Sequence, residues 1–271
     1  MLETGYNNVA VLIPCYNEAS TIAKVIQDFA KALPGVRIYV FDNNSSDGTL
    51  AAALAAGAVG REVRYQGKGN VVRRMFADIE ADIYVLVDGD DTYDAAQAPH
   101  LVSTLLANSL DMVVGMRETR DNDAYRRGHR SGNLVLTRFV TMIFGHAFKD
   151  ILSGYRVFSR RFAKSFPAHA AGFEIETELT VHALQLRMPV LEIPSDYRAR
   201  PAGSLSKLDT YRDGIRILRM IFVLFIAEKP LAAFSIGFAS CLCVSYLFGG
   251  ATIQHVPCNW ASAASTDSFA L

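Results

Sequence analysis

Short apolar runs alternate with helix-like segments over residues 1–200, and this alternation restricts the fold more than any other feature of the sequence. Strand-like runs occupy residues 9–13, 37–41, 83–87 and 112–115, with a shorter run at 63–65, and helical apolar spacing marks residues 18–32, 49–58, 71–79 and 96–107. Strands that are apolar throughout are buried on both faces. The pattern therefore predicts an α/β fold with a Rossmann-like, mostly parallel sheet and helices on both faces.

Polar residues follow each of the four main strand-like runs. They are residues 14–18, 42–47 and 88–91, and Arg117. In an open α/β sheet, ligands bind beyond the carboxyl ends of the strands. The sequence thus predicts a single binding site built from these four segments.

The segment Asp88-Gly89-Asp90-Asp91 carries the clearest chemistry. Carboxylates two residues apart on an extended chain point to the same side, and the glycine between them allows close approach to a ligand. Such a pair can hold Mg²⁺ or Mn²⁺ while the ion keeps coordination positions for diphosphate oxygens. A solvated acidic turn is the alternative, and the position directly after an apolar strand favours the metal site.

Two further segments suit a nucleotide. Asp42 stands at the end of a strand, where its carboxylate can accept hydrogen bonds from a base or a ribose, whereas Asp47 is better placed to cap the next helix. Gly67-Lys68-Gly69 opens a helix, and a helix N-terminus with a lysine favours an anion. Alone, such a glycine-lysine-glycine segment is more often an ordinary turn.

Charge ends abruptly near the C-terminus. Every Lys and Arg lies at or before Lys229, and residues 230–250 contain no charged side chain. As a helix, this stretch would span ~31 Å, close to the thickness of a bilayer core. It is predicted to be a transmembrane helix, with a buried helix of a soluble protein as the alternative. Basic residues on its N-terminal side place residues 1–229 in the cytoplasm.

The arginines at 212, 216 and 219 share one face of the preceding segment, which is typical of a helix lying in the membrane interface. The remaining residues, 251–271, have no pattern and are predicted to form a short disordered tail. Positive and negative side chains balance at 27 each, so the charge gives no reason to expect nucleic acid as a partner.

Several strings together resemble the family 2 glycosyltransferases of the GT-A fold. They are VLIPCYNE (11–18), FDNNSSDGT (41–49), GKGNVVR (67–73) and the Asp-x-Asp at 88–90. Later strings are similar to the polyprenyl-phosphate branch of that family, which includes the dolichol-phosphate-mannose synthases: VVGMR (113–117), DILSGYRVFSR (150–160), GFEIETEL (172–179) and YRARPAGSLSK (197–207). Two departures from the pattern are Asn43-Asn44, where Asp-Gly is commoner, and Thr92, where the mannose synthases usually carry Gln.

The resemblance implies a division into a GT-A domain (1–206), a juxtamembrane amphipathic helix (207–229), a transmembrane helix (230–250) and the tail. It implies an inverting transfer of a sugar from a UDP- or GDP-linked donor to a polyprenyl phosphate. Donor-binding residues would be Pro14, Tyr16, Glu18, Asp42, Lys68, Asp88 and Arg200, with Asp88 and Asp90 holding the metal ion.

The acceptor is a phosphate monoester that is mostly dianionic near pH 7, so it needs cations more than it needs a base. Six arginines against three acids occupy residues 117–138. The resemblance assigns the acceptor phosphate to Arg117, Arg127, Arg130 and Ser131. A solvated basic helix or contact with anionic lipid is the alternative for this segment.

The remaining roles also come from the resemblance. Asp90, Asp150 and Arg117 would be catalytic, Asp150 as a base or orienting group on the acceptor side, with a turn-capping Asp as the alternative. Glu176 would lie near the sugar or the metal, and Ser204 and Lys207 would form a lid. A homo-oligomer is compatible with a single anchor. Two other functions stay open: transfer to a soluble or polysaccharide acceptor, and a non-catalytic membrane component that binds nucleotide-sugar.

Overall fold

A seven-stranded sheet in the order β3-β2-β1-β4-β6-β5-β7 forms the centre of the molecule. The computed structural model describes residues 8–118, 137, 140–141, 148–201 and 210–253. The strands are β1 (Val9–Cys15), β2 (Arg37–Asp42), β3 (Val59–Glu62), β4 (Ile83–Leu86), β5 (Met112–Glu118), β6 (Arg156–Ser159) and β7 (Val190–Asp196). Of these, β6 alone runs antiparallel to its neighbours β4 and β5. The predicted α/β class with a mostly parallel sheet is confirmed.

Helices connect the strands and cover the sheet. They are α1 (Ile22–Ala32), α2 (Thr49–Ala55), α3 (Lys68–Asp78), α4 (Ala98–Ala107), α5 (Arg160–Ser165), α6 (Ile175–Gln185), α7 (Thr210–Glu228) and α8 (Pro230–Ile253). A single 3₁₀ turn, Ala95–Gln97, precedes α4.

The core follows the apolar pattern of the sequence. Every residue of β1 is buried, as expected for a strand covered on both faces. On α1 the buried residues are Ile22, Val25, Ile26 and Phe29, whose spacing of three and four residues places them on one face against the sheet. The amphipathic pattern thus fixes which face of the helix turns inward.

Some predicted boundaries are wrong. The strand predicted at 63–65 lies earlier, at Val59–Glu62. This strand, β3, is at the edge of the sheet and most of its side chains are exposed, so it has no apolar run and is defined by its pairing with β2. The helix predicted from residue 18 begins at Ile22, after a turn in which the Glu18 carbonyl accepts the N–H groups of Thr21 and Ile22.

The antiparallel strand determines what reaches the binding edge. Because β6 runs opposite to β4 and β5, the segment before it begins at the edge where the parallel strands end. Residues 150–155 therefore join the residues that follow β1, β2, β4 and β5. Residues 197–200, which follow β7, arrive at the same edge because β7 is parallel to β5.

The chain divides into two compact units, Met1–Leu224 and Phe225–Leu271. In the first unit, α7 buries Ile217 and Ile221, and it exposes more than half of Ile215, Leu218 and Phe222. In the second unit, α8 contains one stretch, Pro230–Phe248, long and apolar enough to cross a membrane, and none of it is buried.

Candidate functional site

Five charged side chains meet beyond the ends of β4 and β7. Lys68, at the start of α3, lies with its Nζ 2.5 Å from Asp88 Oδ1 and 2.6 Å from Glu176 Oε1. Arg200 places a guanidinium nitrogen 2.6 Å from Asp90 Oδ2. We call Lys68, Asp88, Asp90, Glu176 and Arg200 the charged cluster. It unites residues from four segments that are far apart in sequence.

The two aspartates of the cluster differ in their surroundings. The side chain of Asp88 is 27% exposed, whereas that of Asp90 is 3% exposed. The other oxygen of Asp90 accepts a hydrogen bond of 2.6 Å from the Thr92 hydroxyl. Asp90 is therefore held from both sides, and Asp88 retains an open side toward solvent.

Burial and charge shift the proton affinities in the cluster. Burial raises the pKa of Asp90, and the negative charge of Asp88 raises it further. Burial also raises the pKa of Glu176, against the opposing effect of Lys68. For Lys68, burial alone would lower the pKa, but the two carboxylates raise it above its ordinary value. Lys68 is thus a charged ammonium although its side chain is largely buried.

Gly154 makes room for Asp88. A Cβ at position 154 would overlap the Asp88 carboxylate, so only glycine allows this approach. The N–H of Gly154 donates a hydrogen bond of 2.8 Å to the hydroxyl of Tyr93, which fixes the loop between Asp150 and β6. The loop therefore shapes the Asp-x-Asp segment from the opposite side of the site.

Arg117 and Asp150 form a forked ion pair. Arg117 Nε lies 2.7 Å from Asp150 Oδ2, and Arg117 Nη2 lies 2.7 Å from Oδ1. The guanidinium also stands over the ring of Tyr197, 5.6 Å from its centroid. Glu192 accepts the backbone N–H of Asp150 at 2.9 Å. Two-point pairing of this kind fixes the plane of the arginine.

Arg156 is a buried arginine behind this loop. Its guanidinium donates to the carbonyls of Ile151 at 2.7 Å and Ser153 at 2.9 Å, and to the hydroxyl of Thr180 at 2.8 Å. Burial lowers its pKa to about 10. Arg156 thereby ties residues 151–153 to α6, and it positions the residues on either side, Asp150 and Gly154.

The glycines around Lys68 pack against backbone. A Cβ at Gly67 would overlap the carbonyl oxygen of Ala171, and one at Gly69 would overlap that of Ala170. Gly67 also has a φ of 123°, a conformation that favours glycine. The predicted start of a helix at this segment is confirmed, since α3 begins at Lys68.

Two glutamates at the start of α6 hold the backbone against which these glycines pack. Glu178 of α6 accepts the N–H groups of residues 169 and 170, at 2.7 and 2.8 Å. Glu174, the residue before α6, accepts those of residues 171 and 172, at 3.2 and 3.0 Å. The three alternating glutamates thus lie at the N-terminal end of a helix, where 174 and 178 bind backbone and Glu176 binds Lys68.

The residues predicted to bind the base lie at the ends of β1 and β2. Asp42 is buried, with Oδ2 accepting the N–H of Ser45 at 3.0 Å, and its Oδ1 has no hydrogen-bond partner among the described residues. Pro14 and Glu18 are buried, and Tyr16 is partly exposed. Asn43, one of the departures from the family pattern, donates to the carbonyls of residues 63 and 65 and accepts the N–H of Gly67.

The predicted site residues therefore fall into three groups. In the first group, which comprises the charged cluster and the Arg117–Asp150 pair, the side chains contact one another within each set. The second group comprises the donor-side residues at the ends of β1 and β2, which lie along the same edge of the sheet. The acceptor residues Arg127, Arg130 and Ser131, with the lid residues Ser204 and Lys207, lie outside the described residues and remain predictions.

The sequence model of the family described as "Glycosyl transferase family 2" matches residues 10–166, more than half of the chain. The chain belongs to family 2 of the glycosyltransferases. The matched range contains β1 to β6 and both aspartates of the charged cluster. Glu176 and Arg200 lie beyond it.

Three curated proteins are similar to this glycosyltransferase in sequence. Protein RfbJ of Shigella flexneri is 60% identical over 45% of the chain and 96% of its own length. Glycosyltransferase AglJ of Haloferax volcanii is 38% identical, over 86% of the chain and 77% of its own length. A dolichyl-phosphate hexose transferase of Haloferax volcanii is 27% identical, over 84% of the chain and 99% of its own length.

A solved structure shares the fold. Glucosyl-3-phosphoglycerate synthase of Mycobacterium tuberculosis, in a complex with Mn²⁺, UDP and glucosyl-3-phosphoglycerate, superposes with a TM-score of 0.63 at 23% identity, over 82% of this chain and 80% of the other. At this identity the likeness supports the GT-A-like fold alone.

Two residues that hold the site together carry no clear signal in the sequence. Arg156 lies within the string at 150–160, but an arginine beside apolar residues gives no sign of being buried. Gly154 stands in the same string, and a glycine between serine and tyrosine could equally mark a turn. The contacts that explain both residues are long-range, so a pattern along the chain does not report them.

Proposed function

We propose that this family 2 enzyme transfers a sugar, with inversion, from a nucleotide diphosphate to a polyprenyl phosphate at the cytoplasmic face of a membrane. The observation that carries the proposal is the charged cluster, with the Asp-x-Asp carboxylates directly beyond β4 and two cations beside them. The names of the relatives support the acceptor, since one is a dolichyl-phosphate hexose transferase and another, from Pyrococcus furiosus, is a dolichol-phosphate mannosyltransferase.

The donor side suits a divalent ion. Among the described residues, no three His, Cys, Asp or Glu side chains gather as a metal site, so Asp88 and Asp90 would supply two carboxylates and donor phosphates would complete the ligands. The cluster has three carboxylates and two cations, which leaves it negative and suited to a dication. Bound there, Mg²⁺ or Mn²⁺ would offset the charge that develops on the departing nucleoside diphosphate.

The chain's own residues would hold the donor in place. Asp42 offers to a base or ribose a buried carboxylate oxygen that has no hydrogen-bond partner in the described part of the chain. Lys68 and Arg200 bring positive charge to the diphosphate, which suits phosphate binding by ammonium and guanidinium groups. Pro14, Tyr16 and Glu18 would complete the nucleotide site.

The acceptor side rests on Arg117. Two anionic groups must approach each other, so a fixed cation between them lowers the cost of their meeting. Asp150 orients that cation through the forked ion pair. A carboxylate paired in this way is a weak base, and a dianionic phosphate needs little help from one. We therefore assign Asp150 the orienting role, with Arg127, Arg130 and Ser131 as further acceptor ligands.

A membrane anchor would bring the enzyme to its lipid. The 19 residues Pro230–Phe248 are predominantly apolar and none of them is buried, which is costly in water and favourable in a bilayer. The exposed apolar face of α7 suits the membrane interface. The positive-inside rule supports a cytoplasmic GT-A domain, and copies could associate through the anchor.

The test is transfer of labelled sugar into a lipid. The full chain in membranes is given UDP-glucose, UDP-GlcNAc or GDP-mannose with Mn²⁺ and a polyprenyl phosphate, and label is measured in the organic phase. We expect transfer from one donor, its loss in Asp90→Asn, and its retention in Asp91→Asn, whose carboxylate pairs with Lys24. Label found only in water-soluble product would favour a soluble acceptor, and binding without turnover would favour a non-catalytic role.

A further inference from the structure

Lys68 and Arg200 occupy the two carboxylates that a divalent ion would need. Each aspartate of the Asp-x-Asp segment is already in contact with one of them, at 2.5 Å for Asp88 and 2.6 Å for Asp90. We propose that these two cations are placeholders: they neutralise the aspartates when no metal ion is bound, and they turn to the donor diphosphate when one is. This inference rests on the proposed function, because it requires a diphosphate donor.

Charge balance favours the joint arrival of metal and donor. The cluster alone carries one excess negative charge, from three carboxylates and two cations. A dication alone would leave it with one excess positive charge. A diphosphate ester with two negative charges restores the original balance. Each ligand therefore binds better when the other is present, and such coupling is reciprocal.

Glu176 keeps Lys68 in the site during the exchange. The Lys68 side chain is 11% exposed and that of Glu176 is 8% exposed, so both charges are largely shielded from bulk water. When a metal ion takes Asp88, Lys68 still has a carboxylate partner at 2.6 Å. A buried ammonium without any partner would be costly. Glu176 is thus a positioning residue that acts through Lys68.

The cluster thereby gives Lys68 two opposite effects on ligands. Toward a metal ion alone it is a competing positive charge on the same carboxylate. Toward a metal-bound donor it is an attractive charge beside the diphosphate. Removal of the Lys68 charge should therefore strengthen the binding of a metal ion alone and weaken the binding of a metal-bound donor. A purely structural lysine would not produce effects of opposite sign.

The experiment measures Mn²⁺ binding to the full chain in detergent by the electron paramagnetic resonance signal of free Mn²⁺, without nucleotide and with UDP or, in a parallel series, GDP. For the wild type we expect the nucleotide that binds to strengthen Mn²⁺ binding about tenfold or more, within the usual range of coupling. Lys68→Met should bind Mn²⁺ alone about tenfold more tightly than wild type, and it should lose most of the nucleotide effect.

Lys24→Met is the matched control. Lys24 also bridges two carboxylates, Asp28 and Asp91, at 2.8 and 2.7 Å, but it contacts neither metal-binding aspartate. It should leave Mn²⁺ binding within about twofold of wild type, since charges screened by solvent interact weakly. An equal gain in Lys24→Met and Lys68→Met would overturn the proposal, because it would reflect net charge alone.

Glu176→Gln tests the same exchange without removing the lysine, and it decides the question if Lys68→Met does not fold. With Glu176 neutral, Lys68 depends on Asp88 alone, so Mn²⁺ without nucleotide should bind more weakly than to wild type. Unchanged or tighter Mn²⁺ binding in Glu176→Gln, or unchanged or weaker binding in Lys68→Met, refutes the placeholder role. Failure of sugar transfer with every donor and lipid would instead refute the proposed function, and the Mn²⁺ titrations would still report on the exchange.

Discussion

For the substitution Gly69→Ala, helix propensity and packing predict changes of opposite sign in the free energy of unfolding. Gly69 is the second residue of α3, where alanine should be the better helix former by about 0.5–1 kcal/mol. A Cβ at this position, however, would lie 2.7 Å from the carbonyl carbon of Ala170 and 2.9 Å from that of Ala171. Both neighbours are backbone atoms, so no flexible side chain can move aside.

The backbone that Gly69 touches is itself held on its other side. Glu174 and Glu178 accept hydrogen bonds from the four N–H groups of residues 169–172, and Arg73 donates to the carbonyl of Ala168. Overpacking of this kind costs about 1–3 kcal/mol. After subtraction of the gain in helix propensity, we expect Gly69→Ala to lower the free energy of unfolding by about 0.5–2 kcal/mol.

The measurement is urea unfolding of the full chain in detergent, followed by far-ultraviolet circular dichroism. Gly214→Ala is the control, because this glycine lies within α7 with no atom within 4 Å of the added methyl group. There the propensity acts alone, and stability should rise by about 0.5–1 kcal/mol. If Gly69→Ala is as stable as the wild type, or is stabilised as Gly214→Ala is, the close packing of α3 on residues 168–172 is wrong.

Three further predictions concern the surrounding framework. Arg156→Lys keeps the charge but loses the fork that reaches two carbonyls, so the urea midpoint should fall by the equivalent of about 1–3 kcal/mol; an unchanged midpoint would show that the fork is dispensable. Arg117→Lys loses two-point pairing with Asp150, and it should raise the KM for polyprenyl phosphate about tenfold while the donor KM stays constant; an equal rise in both would contradict an acceptor role. Burial lowers the pKa of His182 below 6.5, so as the pH falls the imidazole is protonated in the unfolded state before it is protonated in the folded state. The free energy of unfolding should therefore decrease as the pH falls from 6.5 toward the lowered pKa. The same pH dependence in His182→Gln would assign the effect to other groups.

The sequence predicted those parts of the fold in which local pattern and burial agree. β1, β2, β4 and β5 were found from apolar runs because each is covered on both faces, and the polar residues after them marked the binding edge. β3 was misplaced because an edge strand with exposed Val59, Arg61 and Glu62 has no apolar run to detect. Pairing with β2, a contact between distant residues, defines it.

The site was predictable as a set of residues and not as a set of contacts. Asp88, Asp90, Lys68, Glu176 and Arg200 were all candidates, but nothing in their spacing indicates which carboxylate faces which cation. The resemblance placed Glu176 near the sugar or the metal, which stays a prediction, and the structure adds that its carboxylate contacts Lys68. Such pairings depend on how α3, α6 and the segment after β7 pack around the sheet edge.

The antiparallel direction of β6 has a consequence for the chain that connects it to β5. Since β5 and β6 lie side by side and run in opposite directions, this connection leaves and returns at the edge of the sheet that carries Asp88 and Asp90. A longer or shorter connection there alters no strand register, and its entropic cost grows only slowly with length. The chain between β5 and β6 can therefore change in length while the strand order of the sheet is kept, provided that the buried Val140 within it keeps an apolar side chain.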